Sequence, residues 1–336
     1  MPARVVHLHA SRFCNLACQH CYSASGPNVR GELDPQAILH TLALLRAEGY
    51  EVLSLSGGEP LLYSHVKTVG QAAVELGYQV NLITNGAPVG GHLLDFIARY
   101  VNLVAVSLDG GPELHNELRR DARAFAHADR ALDRLAERDV QRGIAYCVSR
   151  ESLIDMPWAV EFAQEKGAGL VQFHPFAATG RGRQLAHRLS LSDADKARAY
   201  VVAALLDAND GLRIQLDLAP TVVASTRRDD YATLTIENAG PTFLSDLVNP
   251  VIIDETGVLL PWCYGINQRL AIGRLGPGLP ASIAQYKERG RRDLRALLDT
   301  AFNRLGARGE QFTDWFFHLV ETSHAVSPAP IALAAN

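Results

Sequence analysis

The chain has 336 residues, of which 48% are hydrophobic and 20% charged, a composition that allows one sizeable globular core. Its net charge of −4 argues against a nucleic-acid-binding surface, because phosphate binding requires a basic excess. No run approaches the roughly 18 apolar residues of a membrane span, and the N-terminus has no signal-peptide profile. The sequence therefore predicts a cytoplasmic protein without nucleic-acid or membrane partners. In that compartment the five cysteines are metal ligands, catalytic thiols or buried apolar residues rather than disulfides.

Short β-rich runs alternate with longer helical patterns from residue 4 to about residue 177. One helix is marked by Asp34 as its N-cap and by Pro35 in its first turn, and it extends to Ala47. Repeated strand–helix units predict a parallel sheet with helices outside it, although periodicity does not determine whether the sheet closes. The six predicted strands are residues 5–9, 52–56, 79–84, 103–108, 143–148 and 170–174.

The regular alternation ends near Arg183. We therefore divide the chain into a strand–helix domain over residues 1–185 and a smaller α/β appendage over residues 186–336. The predicted elements of the appendage are a helix over residues 190–207, strands over residues 212–218, 251–253 and 257–260, a mostly helical final part, and a frayed tail over residues 327–336.

Three of the five cysteines, Cys14, Cys18 and Cys21, lie within eight residues of the loop that follows the first strand. In a strand–helix barrel, the carboxyl ends of the strands are where catalytic groups collect. Three thiolates can hold three irons of a cubane cluster and leave the fourth iron open to another ligand. A closed structural zinc site requires four ligands, so three cysteines predict an iron–sulfur site. A zinc knuckle completed by His7, His9 or His20 is the alternative.

The spacing Cys-x3-Cys-x2-Cys, followed by the aromatic Tyr22, resembles the signature of the radical S-adenosylmethionine (SAM) superfamily. Four later strand ends are also similar to those of that family, and the resemblance covers residues 4–185. These segments are Ser56-Gly57-Gly58-Glu59-Pro60, then Thr84-Asn85-Gly86, then Ser107-Leu108-Asp109-Gly110 with His115 and Arg119, and finally His174-Pro175 leading into Gly180-Arg181.

The resemblance implies a fold, two cofactors and a reaction. The fold is a partial (β/α)6 TIM-like barrel, and the cofactors are a [4Fe–4S] cluster on the three cysteines and SAM. Such an enzyme reductively cleaves SAM to a 5′-deoxyadenosyl radical, which modifies an unactivated C–H position. Gly57 and Gly58 would let the backbone approach the amino-acid part of SAM. The residues predicted to contact SAM are Gly57, Gly58, Glu59, Pro60, Asn85, Ser107, Asp109 and Ser149.

Several of these residues have simpler interpretations. Ser107 and Asp109 could cap a helix, and Arg119 could clamp a carboxylate or lie on the surface. His174, on the sixth strand, could face the adenine or the substrate, or be a hydrogen-bonded core histidine. His7 and His9 point to one face of the first strand, where we expect packing rather than metal ligation.

The appendage is similar, at residues 254–263 and 272–275, to the opening of the SPASM extension found in many peptide-modifying members of the family. Cys263 is the only cysteine after Cys147, so we expect a degenerate version without an auxiliary cluster. Electrons would then come from an external flavodoxin or ferredoxin. The resemblance makes Cys263 a candidate catalytic thiol, since a lone thiol returns a hydrogen atom to the substrate radical in some peptide epimerases. A small buried apolar residue is the alternative for Cys263 and Cys147.

The overall layout resembles peptide-modifying members, which favours tailoring of a ribosomally made peptide or a related natural product. Because the first strand starts almost at once, we expect no N-terminal peptide-recognition domain, and a leader peptide would need a separate binding protein or the appendage. The alternatives are a radical SAM enzyme acting on a sugar, nucleotide or lipid precursor, and a non-catalytic zinc-binding scaffold.

Overall fold

The computed structural model describes residues 3–207, 211–228, 243–307 and 309–325. Within these residues, seven neighbouring strands run parallel and form the body of one sheet. The parallel strands are β1 (Val5–His9), β2 (Val52–Ser56), β3 (Gln79–Thr84), β4 (Leu103–Leu108), β5 (Arg142–Val148), β6 (Leu170–Pro175) and β7 (Arg213–Leu216).

Helices connect these strands and bury their apolar faces in the same core as the sheet. The first helix begins as predicted, because the Asp34 carboxylate accepts a hydrogen bond from the Ala37 amide at 2.9 Å and Pro35 occupies the first turn. The helices of this part of the chain are α1 (Pro35–Ala47), α2 (Val66–Glu75), α3 (Gly91–Tyr100), α4 (Pro112–Arg119), α5 (Ala124–Glu137), α6 (Met156–Glu165), α7 (Ala186–Leu189) and α8 (Asp193–Leu206).

The rest of the chain extends the same sheet. Strand β9 pairs in parallel with β1, and β10 and β11 continue antiparallel from it. Side chains also join the two parts: Arg4 forms an ion pair with Asp246 at 2.6 Å, and the Tyr50 hydroxyl donates to the Val248 carbonyl at 2.6 Å. The elements are β8 (Ala219–Pro220), α9 (Thr221–Thr226), α10 (Leu244–Leu247), β9 (Val251–Ile253), β10 (Val258–Pro261), β11 (Gly273–Arg274), α11 (Leu279–Arg304), β12 (Phe312–Thr313) and α12 (Trp315–Ala325).

The six predicted strands are confirmed, four of them with the predicted bounds. Strand β5 starts at Arg142 and β6 ends at Pro175, each one residue beyond the prediction. The sheet is open, and β7 and β11 form its edges in the described part of the chain, which agrees with a partial barrel. The predicted division after residue 185 stays a prediction, because residues on both sides of it share one sheet. The predicted frayed tail lies outside the described residues.

A helix that crosses a bilayer is long and apolar, and none of the helices in the described ranges has that combination of length and apolar character.

We expect Asp34→Ala to lower the free energy of unfolding by about 1 kcal/mol, because the Ala37 amide loses its capping acceptor. Urea unfolding followed by circular dichroism measures the change. Asp299→Ala removes an exposed carboxylate from α11 and is the matched control, with an expected change below about 0.5 kcal/mol. Equal losses in the two variants would contradict the capping role of Asp34.

Candidate active site

The loop between β1 and α1 carries three cysteines to the rim formed by the carboxyl ends of the parallel strands. Cys14 is buried, Cys18 and Cys21 are partly buried, and all three are free thiols. They line a cleft of about 640 Å³ that is open to solvent. The cleft is also lined by five of the residues predicted to contact SAM, namely Gly57, Gly58, Glu59, Asn85 and Ser107.

The cysteine loop is docked on the turn that follows β2. The Gly58 amide donates to the Ser11 carbonyl at 2.9 Å, and the Glu59 amide donates to the Phe13 carbonyl at 2.9 Å. A Cβ atom on Gly58 would lie 2.1 Å from the Phe13 carbonyl oxygen. Gly57 has φ +110°, and a Cβ there would lie 2.9 Å from the Ser11 oxygen. The docking of this loop therefore requires both glycines. From the sequence we predicted only that they let the backbone approach SAM, so this second reason was missed.

The Glu59 carboxylate joins the end of β2 to the end of β3. It accepts hydrogen bonds from the Thr84 hydroxyl at 2.8 Å, the Asn85 amide at 2.8 Å and the Leu61 amide at 3.2 Å. Burial raises the pKa of Glu59 to about 7, and the three hydrogen bonds oppose that rise. Because donors of this chain occupy both oxygens, Glu59 holds the two strand ends in place at the edge of the cleft.

Asn85 points from the end of β3 to the cysteine loop. Its side-chain amide donates to the Asn15 side-chain oxygen at 2.9 Å and lies 3.8 Å from the Cys14 sulfur. Ser107 lines the same cleft from β4. Both polar side chains therefore line the same cleft as the three cysteines, and their contact with SAM stays a prediction.

The spacing of the thiols distinguishes a cluster from a zinc ion. Thiolates that share one tetrahedral zinc lie about 3.8 Å apart, since each Zn–S bond is about 2.3 Å long. In the described residues, Cys14, Cys18 and Cys21 do not form a group of ligand atoms within 4.8 Å of one another. The three thiols are therefore not gathered around one zinc ion, and three cysteines on one loop are a donor set that can hold three irons of a cubane and leave the fourth open.

In the described residues, two of the three histidines considered for a zinc knuckle, His20 and His9, contact other side chains. His20 Nε2 lies 3.2 Å from an Asp109 oxygen, and the His9 ring stacks on Tyr264 at 4.8 Å between ring centres. Burial lowers the pKa of His7 to about 4 and that of His9 to about 3, so both rings are neutral at pH 7. The stacked ring of His9 agrees with the expected packing role.

A buried ion pair supports the cleft from β4 and α4. Arg119 Nε donates to Asp109 at 2.6 Å, and Arg119 Nη2 donates to the other Asp109 oxygen at 3.3 Å. Burial opposes ionisation of Asp109, but the charge of Arg119, together with His20 and His115, holds its pKa well below the usual range. Arg119 lines the cleft and is 6% exposed, so the surface alternative for this residue is wrong.

Three residues predicted to contact SAM do not line the cleft. Asp109 lies behind Arg119 and binds it, and Gly111 rather than Asp109 caps α4. Pro60 lies in a buried turn. Ser149 is hydrogen-bonded to Ser152 in the turn after β5. Direct contact of these three residues with SAM stays a prediction, and the cleft geometry gives it no support.

Arg181, to which the sequence analysis assigned no role, closes the cysteine loop. Its Nε donates to the Cys18 carbonyl at 2.9 Å, and its Nη2 donates to the Ser25 carbonyl at 2.6 Å. Its backbone amide donates to the Cys21 carbonyl at 3.0 Å. Three bonds from one residue therefore fix the cysteine backbone from the far end of the sheet. The Gly180-Arg181 motif in the sequence indicated that Arg181 could have a role. Spacing along the chain does not reveal that its partner is the cysteine loop.

Cys263 lies apart from the cysteine cleft, in a second cavity of about 560 Å³ that shares Tyr22 with it. Its thiol donates to the Phe316 carbonyl at 3.7 Å, and burial raises its pKa far above the ordinary range. Cys147 on β5 packs against a small apolar cluster, and burial raises its pKa also. Cys147 is partly buried, and its sulfur also lies within 4.8 Å of ligand atoms of His20 and Asp109, so its surroundings are only partly apolar.

Residues 8–162 match the model of the radical SAM superfamily. An AdoMet-dependent heme synthase of Methanosarcina barkeri is 32% identical over 184 residues, which cover 53% of this chain and 52% of that protein. The sporulation killing factor maturation protein SkfB of Bacillus subtilis is 25% identical over 178 residues, covering 53% and 43%. The chain thus spans about half the length of the curated relatives it matches.

The fold resembles that of SuiB from Streptococcus suis bound to S-adenosylmethionine, with a TM-score of 0.66, 16% identity, and coverage of 88% of this chain and 68% of that one. SuiB has also been solved with its precursor peptide SuiA. The likeness extends past the matched domain into the final third of this chain. Residues 8–162 therefore form a radical SAM domain, and the superfamily to which this domain belongs uses a [4Fe–4S] cluster and SAM.

We expect Gly58→Ala to reduce the iron bound after reconstitution, because the added methyl group displaces the Phe13 carbonyl and with it the cysteine loop. Overpacking of this kind costs on the order of 3 kcal/mol. Iron analysis and the cluster absorbance measure the loss. Gly169→Ala, where an added Cβ has no atom within 4 Å, is the matched control and should bind iron as the wild type does.

Arg181→Met should weaken the cysteine loop by about 3 kcal/mol, since it removes two charge-assisted hydrogen bonds of about 1.5 kcal/mol each. The expected result is faster loss of iron to a chelator. Arg183→Met, in the same turn but without these contacts, is the control for the loss of a cation. Equal rates of iron loss in Arg181→Met and the wild type would contradict the closing role.

Proposed function

We propose that the protein reductively cleaves SAM to methionine and a 5′-deoxyadenosyl radical, and that this radical modifies an unactivated C–H position of a ribosomally made peptide or a related natural product. One observation carries the proposal: the three-cysteine cleft, which is lined by five of the eight residues predicted to contact SAM, shares Tyr22 with a second cavity that is open to solvent.

Different residues of the cleft would bind the cluster and SAM. Cys14, Cys18 and Cys21 would hold the cluster. The strand-end groups that line the cleft, Gly57, Gly58, Glu59, Asn85 and Ser107, would bind SAM. Arg119 is a buried cation at the same cleft, and we propose that it binds the SAM carboxylate. Asp109 would act indirectly, because it fixes the orientation of Arg119.

Two comparisons support a peptide substrate. SkfB is named as a maturation protein for a sporulation killing factor, and SuiB has been solved with its precursor peptide. The second cavity has walls from β6 and α12 and is open to solvent, so a longer chain could extend from it.

A small-molecule substrate is the second candidate. The heme synthase relative, at 32% identity over its matched part, favours it. A mass change in a candidate peptide, compared with one in sugar, nucleotide, lipid or tetrapyrrole precursors, distinguishes the two candidates.

We propose that an external flavodoxin or ferredoxin supplies the electron, since Cys263 is the only cysteine after Cys147 and cannot hold an auxiliary cluster alone. The same thiol stays protonated in its buried position. A protonated thiol can return a hydrogen atom to a substrate radical, and this is the role that we propose for Cys263.

The first experiment is anaerobic reconstitution with iron and sulfide, followed by dithionite and SAM, with 5′-deoxyadenosine as the product assayed. We expect the wild type to form it and the triple variant Cys14→Ala, Cys18→Ala, Cys21→Ala to form none, because no ligand remains for the cluster. Cys147→Ala is the control and should retain the activity.

Tightly bound zinc, no cluster uptake and intact SAM in the wild type would instead support a non-catalytic scaffold and refute the proposal. If 5′-deoxyadenosine forms, synthetic peptides encoded beside the gene are the next substrates to assay.

A further inference from the structure

The second cavity contains the end of an ordered polar network. Gln172 Nε2 donates to Gln215 Oε1 at 3.2 Å, and Gln215 Nε2 donates to an Asp217 oxygen at 3.0 Å. The other Asp217 oxygen lies 2.5 Å from His174 Nδ1. The network crosses from β6 to the residue after β7, and His174 is the member at its cavity end.

The network fixes the imidazole of His174. Because Nδ1 donates to Asp217, the ring has one orientation and one tautomer, and Nε2 is left for another partner. Nε2 has no hydrogen-bond partner in the described part of the chain, and the His174 side chain is 41% exposed. A histidine that only stabilised the core would be buried with both nitrogens satisfied.

The charges around His174 favour its protonated form. Burial opposes that form, but the hydrogen bond and charge of Asp217, with the charge of Asp314, outweigh it and raise the pKa of His174. His7 is the other titratable group that interacts with this ring, and it is neutral at pH 7 because burial lowers its pKa to about 4. The protonated ring, which these charges favour, therefore presents Nε2–H to the cavity as a hydrogen-bond donor.

We propose that His174 is a substrate-binding residue whose Nε2–H donates a hydrogen bond to a backbone carbonyl of the peptide, an inference that rests on the function proposed above. Asp314, at the start of α12, lines the same cavity and would repel a carboxylate. A peptide amide suits this pair of groups, because its carbonyl can accept a hydrogen bond from His174 and its N–H can donate one to the Asp314 carboxylate. Tyr22, at the boundary with the cysteine cleft, places a bound peptide beside that cleft.

The probe is N-acetyl-alanyl-alanine N-methylamide, added to the reconstituted holoenzyme with SAM and without reductant. Titration calorimetry or saturation-transfer NMR gives its affinity. We expect His174→Asn to weaken binding roughly tenfold, the effect of losing one hydrogen bond from a charged donor. His174→Gln, whose amide reaches the place of Nε2, should keep more of the affinity. His40→Asn, at an exposed histidine of α1, is the matched control and should bind as the wild type does.

The pH dependence separates binding from a structural role. A pKa that is raised in the folded protein means that the donor form persists to higher pH, so wild-type affinity should fall as pH rises through that pKa. Asp217→Asn removes the charge that raises it, and the fall should then occur at lower pH. A merely structural His174 would leave this pH profile unchanged.

Two results would overturn the inference: equal affinity of the probe for the wild type and His174→Asn, or no saturable binding to the wild type. Acetate in place of the peptide tests the preference for a carbonyl, and tighter binding of acetate would also count against it. Formation of 5′-deoxyadenosine by the wild type without the probe decides the proposed function separately.

Discussion

The cleft depends on the contact between two loops in which backbone meets backbone without an intervening side chain. The amides of Gly58 and Glu59 donate to carbonyls of the cysteine loop at 2.9 Å, and this distance leaves no room for a Cβ on Gly58. A loop of this length has no regular structure to hold it, so its geometry comes from such contacts. Arg181 makes the corresponding contacts from the opposite end of the sheet, and the cysteines are thereby held between β2 and β6.

Charged groups behind this contact stabilise the cleft because each has its partner. Asp109 and Arg119 are both buried, and their paired hydrogen bonds compensate the cost of removing two charges from water. Glu59 has three hydrogen-bond donors and no ion-pair partner in direct contact, and burial raises its pKa although these donors and the charge of Arg119 oppose the rise. The cleft therefore offers Arg119 as a cation in a poorly solvated place, where a charge interacts more strongly than it would in water.

The final third of the chain shapes the space beside the cleft. Strand β9 extends the sheet next to β1, and α12 closes the second cavity opposite the end of β6. Tyr22 lines both spaces, so the aromatic residue after the third cysteine lies between the places that we propose for SAM and for the substrate. Cys263 and the His174–Asp217 pair enter this cavity from different elements, although more than forty residues separate each of them from the next along the chain.

The sequence by itself determined the parallel strands, the capped helix α1 and the resemblance to the radical SAM domain, because alternation, capping residues and cysteine spacing are local patterns. It also identified five of the residues that line the cleft. Only the tertiary structure decided that Gly58 is required by loop docking, that Asp109 binds Arg119 rather than lining the cleft, and that Arg181 closes the cysteine loop. Gly58 and Arg181 contact residues distant in the chain, and Asp109 and Arg119 meet across the turn between β4 and α4. The spacing of residues along a sequence does not reveal which of these groups a side chain will contact.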